Sequence, residues 1–277
     1  MLDGYNVSVF AYGQTGTGKT YTMQGNGDEY GIQQFMLQDL YNHKAKDQHM
    51  YDMSIGLSCL EIYNESCMDL LRSSDNKLEL KMDSHSKKIV AQGLREVVCN
   101  ELQEAIQCLI FAQKNRAVAS TNQNQRSSRS HFIVQINVTK TFHSQGSSMD
   151  DEDEEPQDST VTSTLYLIDL AGSEKINTST SNPVQESETK HINKSLSALG
   201  NVMESLRNRS ARSGQAAGGH VPYRDTKLTY FMSNVFRDKH AIVCMIPHIA
   251  PTSMCHSESS KTLQFAERMS GIALNNQ

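Results

Sequence analysis

The most distinctive chemical feature of the chain is a glycine-rich stretch that follows an apolar run. Residues 13–20 read GQTGTGKT and come directly after VSVFAY, residues 7–12. They match the pattern G-x-x-x-x-G-K-[ST], in which converging backbone N–H groups and a helix N-terminus hold phosphate. In this pattern the lysine reaches the β- and γ-phosphates and the last hydroxyl binds Mg²⁺. The sequence therefore predicts a nucleotide site formed by Gly13, Gln14, Thr15, Gly16, Thr17, Gly18, Lys19 and Thr20.

Two later segments carry the other groups that such a site needs. The first, NQRSSRSH at residues 124–131, precedes a predicted strand, and the second, DLAGSE at residues 169–174, ends the next strand. Mg²⁺ requires more oxygen ligands, and a γ-phosphate requires donors that move when it leaves. A hydroxyl-rich loop and an aspartate followed by a flexible glycine supply both, so we expect both segments to lie near the phosphate loop.

The elements that position these segments are predicted from hydrophobic periodicity. Strands alternate with helices, which predicts a layered α/β fold with the phosphate loop at a strand's carboxyl end and a mostly parallel or mixed sheet flanked by helices. Strands are predicted at 51–63, 78–82, 89–91, 131–142, 161–169 and, as a buried strand, 241–246. Helices are predicted at 32–46, 101–118, 188–206, 225–236 and 257–270.

Composition is typical of a soluble globular protein. The 277 residues suit one large α/β domain, and a net charge of −5 argues against a nucleic-acid binder. Six cysteines without a C-x-x-C pair favour buried or idle thiols in a reducing compartment. No stretch has the length of a membrane span, so a cytosolic protein without a membrane span is expected.

Charge is distributed unevenly along the chain. Residues 175–239 hold ten basic and five acidic side chains, which leaves a net charge of −10 on the rest. Residues 144–160 include DDEDEEP and are predicted to form a flexible surface loop between two adjacent strands, with a regulatory or partner-binding role as the alternative. Residues 207–219 are predicted to form a basic flexible loop.

The segments SSRSH and DLAGSE resemble the two nucleotide-sensing switches of kinesin motor domains. Further segments similar to that family follow in the same order along the whole chain. They are YGQTGTGKTYTM from Tyr12, EIYNESCMDLL from Glu61, HINKSLSALGNVMESL from His191, VPYRDTKLT from Val221 and TLQFAER from Thr262. The resemblance implies a three-layer P-loop NTPase over residues 1–277 that hydrolyses ATP with Mg²⁺.

The resemblance also implies a role for individual residues. Thr20 and Ser128 would bind Mg²⁺ directly and Asp169 through water, while Tyr21 would pack on the adenine. Asn124, Ser127 and the Gly172 N–H would face the γ-phosphate. Arg129 and Glu174 would form the ion pair that closes the site on ATP and organises the attacking water, in keeping with catalysis by positioning and charge stabilisation.

The same resemblance implies a microtubule as partner and the cytoplasm, on the cytoskeleton, as location. Tubulin is acidic, so the basic segment gives the candidate contacts, and salt should weaken them. A dimer formed through a stalk outside this chain is a further expectation. The candidate contacts are Lys190, Lys194, Arg207, Arg209, Arg212, Arg224 and Lys227.

The chain departs from the kinesin pattern at several points. Its start, MLDGYN, has no counterpart of the family's first strand or of its Arg-x-Arg-Pro adenine-binding segment. We therefore predict weakened adenine binding, a marginal fold and an open edge at strand 241–246. Lys175 replaces a usual arginine, and residues 176–185 lack the usual glycines. The ending FAERMSGIALNNQ resembles kinesins with a C-terminal motor, the class that moves toward the minus end.

Three functions are compatible with these observations. The first is a microtubule-stimulated ATPase that drives movement. The second is a kinesin-like scaffold or regulator that binds microtubules without turnover, as the lack of an adenine segment suggests. The third, a P-loop kinase or GTPase unrelated to microtubules, is disfavoured by SSRSH and DLAGSE.

Overall fold

The computed structural model describes residues 1–27, 29–73, 76–118, 126–143, 159–174, 183–211, 220–270 and 272. The predicted sites Asn124 and Arg212, and residues 144–158 of the acidic insertion, lie outside these ranges. None of the helices within them is long and apolar enough to cross a membrane.

The described residues form a nine-stranded mixed sheet. Its strands in chain order are β1 Val7–Gly13, β2 Tyr51–Tyr63, β3 Ser66–Asp69, β4 Lys77–Met82, β5 Ile89–Gln92, β6 Val97–Val98, β7 His131–Phe142, β8 Thr160–Asp169 and β9 Ile242–His248. Their spatial order is β5-β4-β3-β2-β7-β8-β1-β9, with β6 beside β2. The parallel pairs are the two that flank β1, while the other described pairs are antiparallel.

Helices cover both faces of this sheet. They are α1 Lys19–Gln24, α2 Ile32–Lys46, α3 Leu102–Val118, α4 Pro183–Ala211, α5 Lys227–Phe236 and α6 His256–Ser270. Because side chains alternate along a strand, β7 sends Ile133 to the core with α4, α5 and α6, and Phe132 to the core with α1, α2 and α3. The three-layer α/β prediction is thus confirmed.

Three sequence predictions are wrong in detail. Strand β9 lies at the sheet edge, where an open edge was expected, with β1 as its one strand neighbour among the described residues, but it is not buried as predicted, because Ile242 is 53% exposed. Residues 207–211 were expected to be loop, but they continue α4, whose arginines propagate helix well and interact favourably with a helix C-terminus. Asp225 was expected to begin a helix, but it ends the short 3₁₀ turn Tyr223–Asp225, and α5 begins at Lys227.

Candidate nucleotide site

The phosphate loop lies between the carboxyl end of β1 and the start of α1, as predicted. Gly18 has φ 96°, a left-handed conformation that glycine adopts without steric cost. Lys19 follows it, is 7% exposed, and donates from Nζ to the Gln14 carbonyl at 2.9 Å. Burial lowers the pKa of Lys19, and the Asp169 and Glu174 carboxylates partly oppose this. A buried cation that is held by a backbone carbonyl is well placed to transfer to a phosphate.

Thr20 and Asp169 meet because β1 and β8 are parallel neighbours. Ala11 pairs with Asp169 in their register, so both carboxyl ends lie at the same sheet edge. The Thr20 hydroxyl donates to Asp169 Oδ2 at 2.8 Å. Asp169 Oδ1 is buried and has no hydrogen-bond partner among the described residues. Such an unsatisfied carboxylate oxygen beside a hydroxyl fits the hydrated shell of Mg²⁺.

A cavity of about 380 Å³ opens over these groups. It is lined by Lys19, Thr20 and Tyr21 from α1 and by Ser128 from the 3₁₀ turn Arg126–Arg129, together with Thr15, Gly16, Gly18 and Leu170. Tyr21 is 50% exposed, and its hydroxyl donates to the Glu29 carboxylate. Ser127 lies in the same 3₁₀ turn, and its side chain is outside the described set. The predicted hydroxyl-rich loop and phosphate loop therefore share one cavity.

A buried arginine that the sequence patterns did not single out supports Asp169. Arg116 of α3 is 5% exposed, and its Nη1 lies 3.4 Å from Asp169 Oδ2. Its Nε lies 3.7 Å from Glu61 Oε1, and its Nη2 donates to the Ser130 carbonyl at 3.2 Å. The guanidinium also stacks over the Phe132 ring at 5.2 Å. No local motif marks Arg116, because its partners lie far away along the chain.

The DLAGSE segment contacts both of the other loops. The Gly172 N–H donates to the Ser128 carbonyl at 2.9 Å, and the Ser173 N–H donates to the Gly13 carbonyl at 3.1 Å. A Cβ on Gly172 would lie 2.2 Å from Thr15 Oγ1 and 2.4 Å from Glu174 Oε2, so a larger residue there would displace the Thr15 and Glu174 side chains. The loops that the sequence placed around a γ-phosphate are thus connected by backbone hydrogen bonds.

The expected ion pair between Arg129 and Glu174 is not formed in this structure. Arg129 Nη1 lies 2.5 Å from Glu188 Oε2 of α4, and the Tyr63 hydroxyl donates to the other Glu188 oxygen. Glu174 instead accepts from the Thr15 N–H at 2.8 Å and from its hydroxyl at 2.5 Å. Each member of the predicted pair therefore has an alternative partner in this structure.

The predicted basic contacts gather on α4, the 3₁₀ turn Tyr223–Asp225 and α5, which pack together. Lys190, Lys194, Arg207 and Arg224 are exposed, whereas Arg209 and Lys227 are half-buried. The Arg224 guanidinium lies 5.9 Å from the Tyr230 ring centroid. Lys190 and Lys194 therefore lie within two helical turns of Glu188, whereas Arg207 and Arg209 lie toward the other end of α4.

Comparison with known proteins gives a consistent result. Residues 1–272 match the family described as the kinesin motor domain. The kinesin-like protein KIN-14C of Oryza sativa subsp. japonica is 37% identical over 279 residues, which cover 99% of this chain and 27% of that protein. The chain thus spans about a quarter of this curated relative's length.

Solved structures agree with the sequence relatives. The structure of a fast kinesin superposes with a TM-score of 0.83 at 32% identity, over 100% of this chain and 73% of that one. The C-terminal motor and motor homology domain of Kar3Vik1, fused to a synthetic heterodimeric coiled coil, gives 0.80 at 34% identity, over 97% of this chain and 64% of that one. On its motifs, its fold and these matches, the chain belongs to the kinesin motor domain family.

Proposed function

We propose that this chain binds and hydrolyses ATP and that microtubules stimulate the reaction, as part of a kinesin that moves along them. The observation that carries the proposal is the convergence of Lys19, Thr20 and Ser128 on one cavity at the carboxyl end of β1, with the buried Asp169 hydrogen-bonded to Thr20 beneath it. Residues 1–277 would form a single motor domain with the acidic insertion 144–160 as part of it.

The residues around Asp169 fit Mg²⁺ as the companion of the nucleotide. The Thr20 and Ser128 hydroxyls would hold the ion, and the unsatisfied Asp169 Oδ1 would reach it through water. When bound, Mg²⁺ neutralises charge on the phosphates. Lys19 would exchange its Gln14 carbonyl for phosphate oxygens, and the phosphate-loop N–H groups would orient them.

Hydrolysis then depends on an exchange of partners by two charged residues. Glu174 occupies the Thr15 N–H, a donor of the phosphate loop, so a γ-phosphate arriving there would repel the carboxylate. Arg129 would leave Glu188 and pair with the displaced Glu174, which closes the site and orients a water for attack. Asn124 and Ser127 would help to bind the γ-phosphate, and Tyr21 would pack on the adenine.

The basic residues on α4, on the 3₁₀ turn and on α5 would bind the acidic microtubule surface. Glu188 belongs to the same helix α4, so release of Arg129 alters a contact of the helix that carries Lys190 and Lys194. Nucleotide state and microtubule affinity would thereby be linked, and each would change the other. A cytoskeletal location follows from this partner.

The test is ATP hydrolysis by the purified chain with and without microtubules, at low and at moderate salt. We expect stimulation by microtubules that weakens as salt screens the basic face. Lys19→Ala should abolish nucleotide binding, whereas Lys114→Ala on the exposed side of α3 should not. Hydrolysis that microtubules leave unchanged, or turnover that survives Lys19→Ala, would contradict the proposal.

A second candidate is a microtubule-binding scaffold without turnover. The observation that favours it is the separation of Arg129 and Glu174, each of which is held by another residue. Microtubule pelleting without hydrolysis in either condition would select this candidate over the motor.

A further inference from the structure

His131 is a buried histidine that the nucleotide site does not use. It is the first residue of β7, the last residue of SSRSH, and 3% exposed. Its Nδ1 accepts a hydrogen bond from the Ala171 N–H at 3.1 Å, and its Nε2 lies 2.9 Å from Ser195 Oγ of α4. One ring therefore touches two elements that have separate tasks in the proposed function.

The hydrogen bonds from Ala171 through His131 and Ser195 form a path, and their pattern determines where each proton lies. Because Nδ1 accepts from a backbone N–H, it is unprotonated, and the neutral ring carries its proton on Nε2. The Ser195 hydroxyl donates to the Ile192 carbonyl of its own helix at 2.8 Å, so it accepts from Nε2. The bonds run in one direction, from the Ala171 amide through the imidazole to the backbone of α4.

The two ends of this path lie next to the two proposed binding sites. Ala171 precedes Gly172, whose N–H would face the γ-phosphate and now donates to the Ser128 carbonyl at 2.9 Å. Ser195 follows Lys194, an exposed lysine of the proposed microtubule face. A shift of the 170–172 backbone on phosphate binding therefore changes the length or angle of the first bond, one residue from where that phosphate would bind.

His131 itself is held firmly between these ends. Its strand is hydrogen-bonded to β2 on one side, where His131 pairs with Ile62, and to β8 on the other. Burial, together with the Arg116 and Lys19 cations, lowers the pKa of His131 to about 3, so its ring stays neutral and keeps this bonding pattern at physiological pH. A fixed, neutral ring transmits a displacement better than a mobile or titrating group would.

We propose that His131 is a positioning residue that couples the 170–172 backbone to helix α4 through its two ring nitrogens. The inference rests on the proposed function, and goes beyond it by naming the residue that links the two sites. His131 does not line the nucleotide cavity and is buried away from the proposed microtubule contacts, so its removal should uncouple the sites without destroying either.

The experiment compares Ser195→Ala with Ser205→Ala in the purified chain. Ser195→Ala removes the acceptor of the Nε2 bond, while Ser205→Ala removes a hydroxyl that also donates within α4, to Asn201 at 2.8 Å, away from His131. For each variant, microtubule dissociation constants are measured with ADP and with a non-hydrolysable ATP analogue, together with basal ATPase and melting temperature.

We expect the unmodified chain and Ser205→Ala to bind microtubules at least about five-fold more tightly with the analogue than with ADP, as is typical of coupled sites. In Ser195→Ala this ratio should fall below about two-fold while basal ATPase stays like that of Ser205→Ala. His131→Phe, which removes both hydrogen bonds but keeps a ring, should lower this ratio of dissociation constants as much as Ser195→Ala does.

The outcomes separate this inference from the proposed function. If the unmodified chain shows a nucleotide-dependent ratio and both Ser195→Ala and His131→Phe retain it, the His131 inference is overturned while the proposed function stands. If the unmodified chain neither binds microtubules nor hydrolyses ATP, the proposed function is overturned, and the inference falls with it.

Discussion

At the scale of residues, the site depends on how charge is arranged around one buried carboxylate. Asp169 is 1% exposed and borders Thr20 and Arg116, with Lys19 near enough to be affected by its charge. A buried carboxylate of this kind is tolerated because hydrogen bonds and nearby cations compensate for lost hydration. Substitution of a residue that contacts Asp169 should therefore change both the free energy of unfolding and the Mg²⁺ concentration required for ATP hydrolysis.

Arg116→Lys tests this arrangement. Lysine keeps the charge but loses the planar fork that reaches Asp169, Glu61 and Ser130 at once. We expect a loss of about 2 kcal/mol in the free energy of unfolding and a higher Mg²⁺ requirement for ATP hydrolysis, measured by chemical denaturation and Mg²⁺ titration. Arg72→Lys is the matched control, because Arg72 is 43% exposed in its pair with Asp69. Equal effects of the two substitutions would contradict the prediction.

His131 predicts a pH dependence of stability. Its pKa of about 3 in the folded chain lies below the ordinary value of 6.5, so only the unfolded chain binds the proton as pH falls below 6.5. The stability that the neutral His131 contributes is fully present above pH 6.5 and is lost as the pH falls toward 3. By pH 5 the free energy of unfolding should have decreased by about 2 kcal/mol. Denaturation at a series of pH values should show a shallower loss in His131→Phe, and an identical slope would contradict this.

At the scale of elements, the sequence predicted those with a clear hydrophobic period. The limits of α2, β2 and β7 coincide with the prediction, because their apolar residues repeat at helical or strand spacing over more than ten positions. Strand β6 was missed because its two residues are too few for a period, and β3 was missed because it follows β2 after only two residues and gives no separate signal. The exposure of β9 depends on which strand lies beside it, which no local pattern specifies.

The site shows the same division between local and distant signals. The phosphate loop, Ser128 and Asp169 lie in continuous motifs, so the sequence located all of them before any fold was known. Arg116 contacts Asp169, which lies 53 positions away, and Glu188 contacts Arg129, which lies 59 positions away. The residues next to Arg116 and Glu188 in the sequence form no motif that indicates these contacts. The pairing of Arg129 with Glu188 rather than Glu174 depends on how α4 packs against the turn Arg126–Arg129, which no local sequence pattern specifies.

Glu188→Gln is a prediction that belongs to helix α4. The substitution removes the charge that holds Arg129 against α4 while keeping a hydrogen-bond acceptor for Tyr63. Arg129 should then pair with Glu174 more readily, so ATP hydrolysis without microtubules should rise several-fold in steady-state assays. Tyr63→Phe is the control, since it removes the hydroxyl that donates to Glu188 but leaves the Glu188 charge in place, and it should have a smaller effect. A basal rate that falls or stays the same in Glu188→Gln would contradict the prediction.

At the scale of the whole molecule, the apolar edge strand β9 is the feature with the clearest consequence. It pairs with β1 on one side, and Ile242 and Cys244 are exposed. An apolar edge of this kind favours association between copies. We expect the chain to associate at micromolar concentration, and Ile242→Lys to reduce this in sedimentation velocity without changing nucleotide binding. A monomeric parent chain, or equal association of both proteins, would contradict this.

Motor function as a whole requires that the nucleotide site and the basic face of α4 and α5 act as one unit. The measurement that addresses this most directly is the ATPase rate of the purified chain over a range of microtubule concentrations. We predict a rate that rises and saturates with microtubules, and whose half-saturating concentration increases with salt. A rate that is independent of microtubules at every salt concentration would contradict the proposed function.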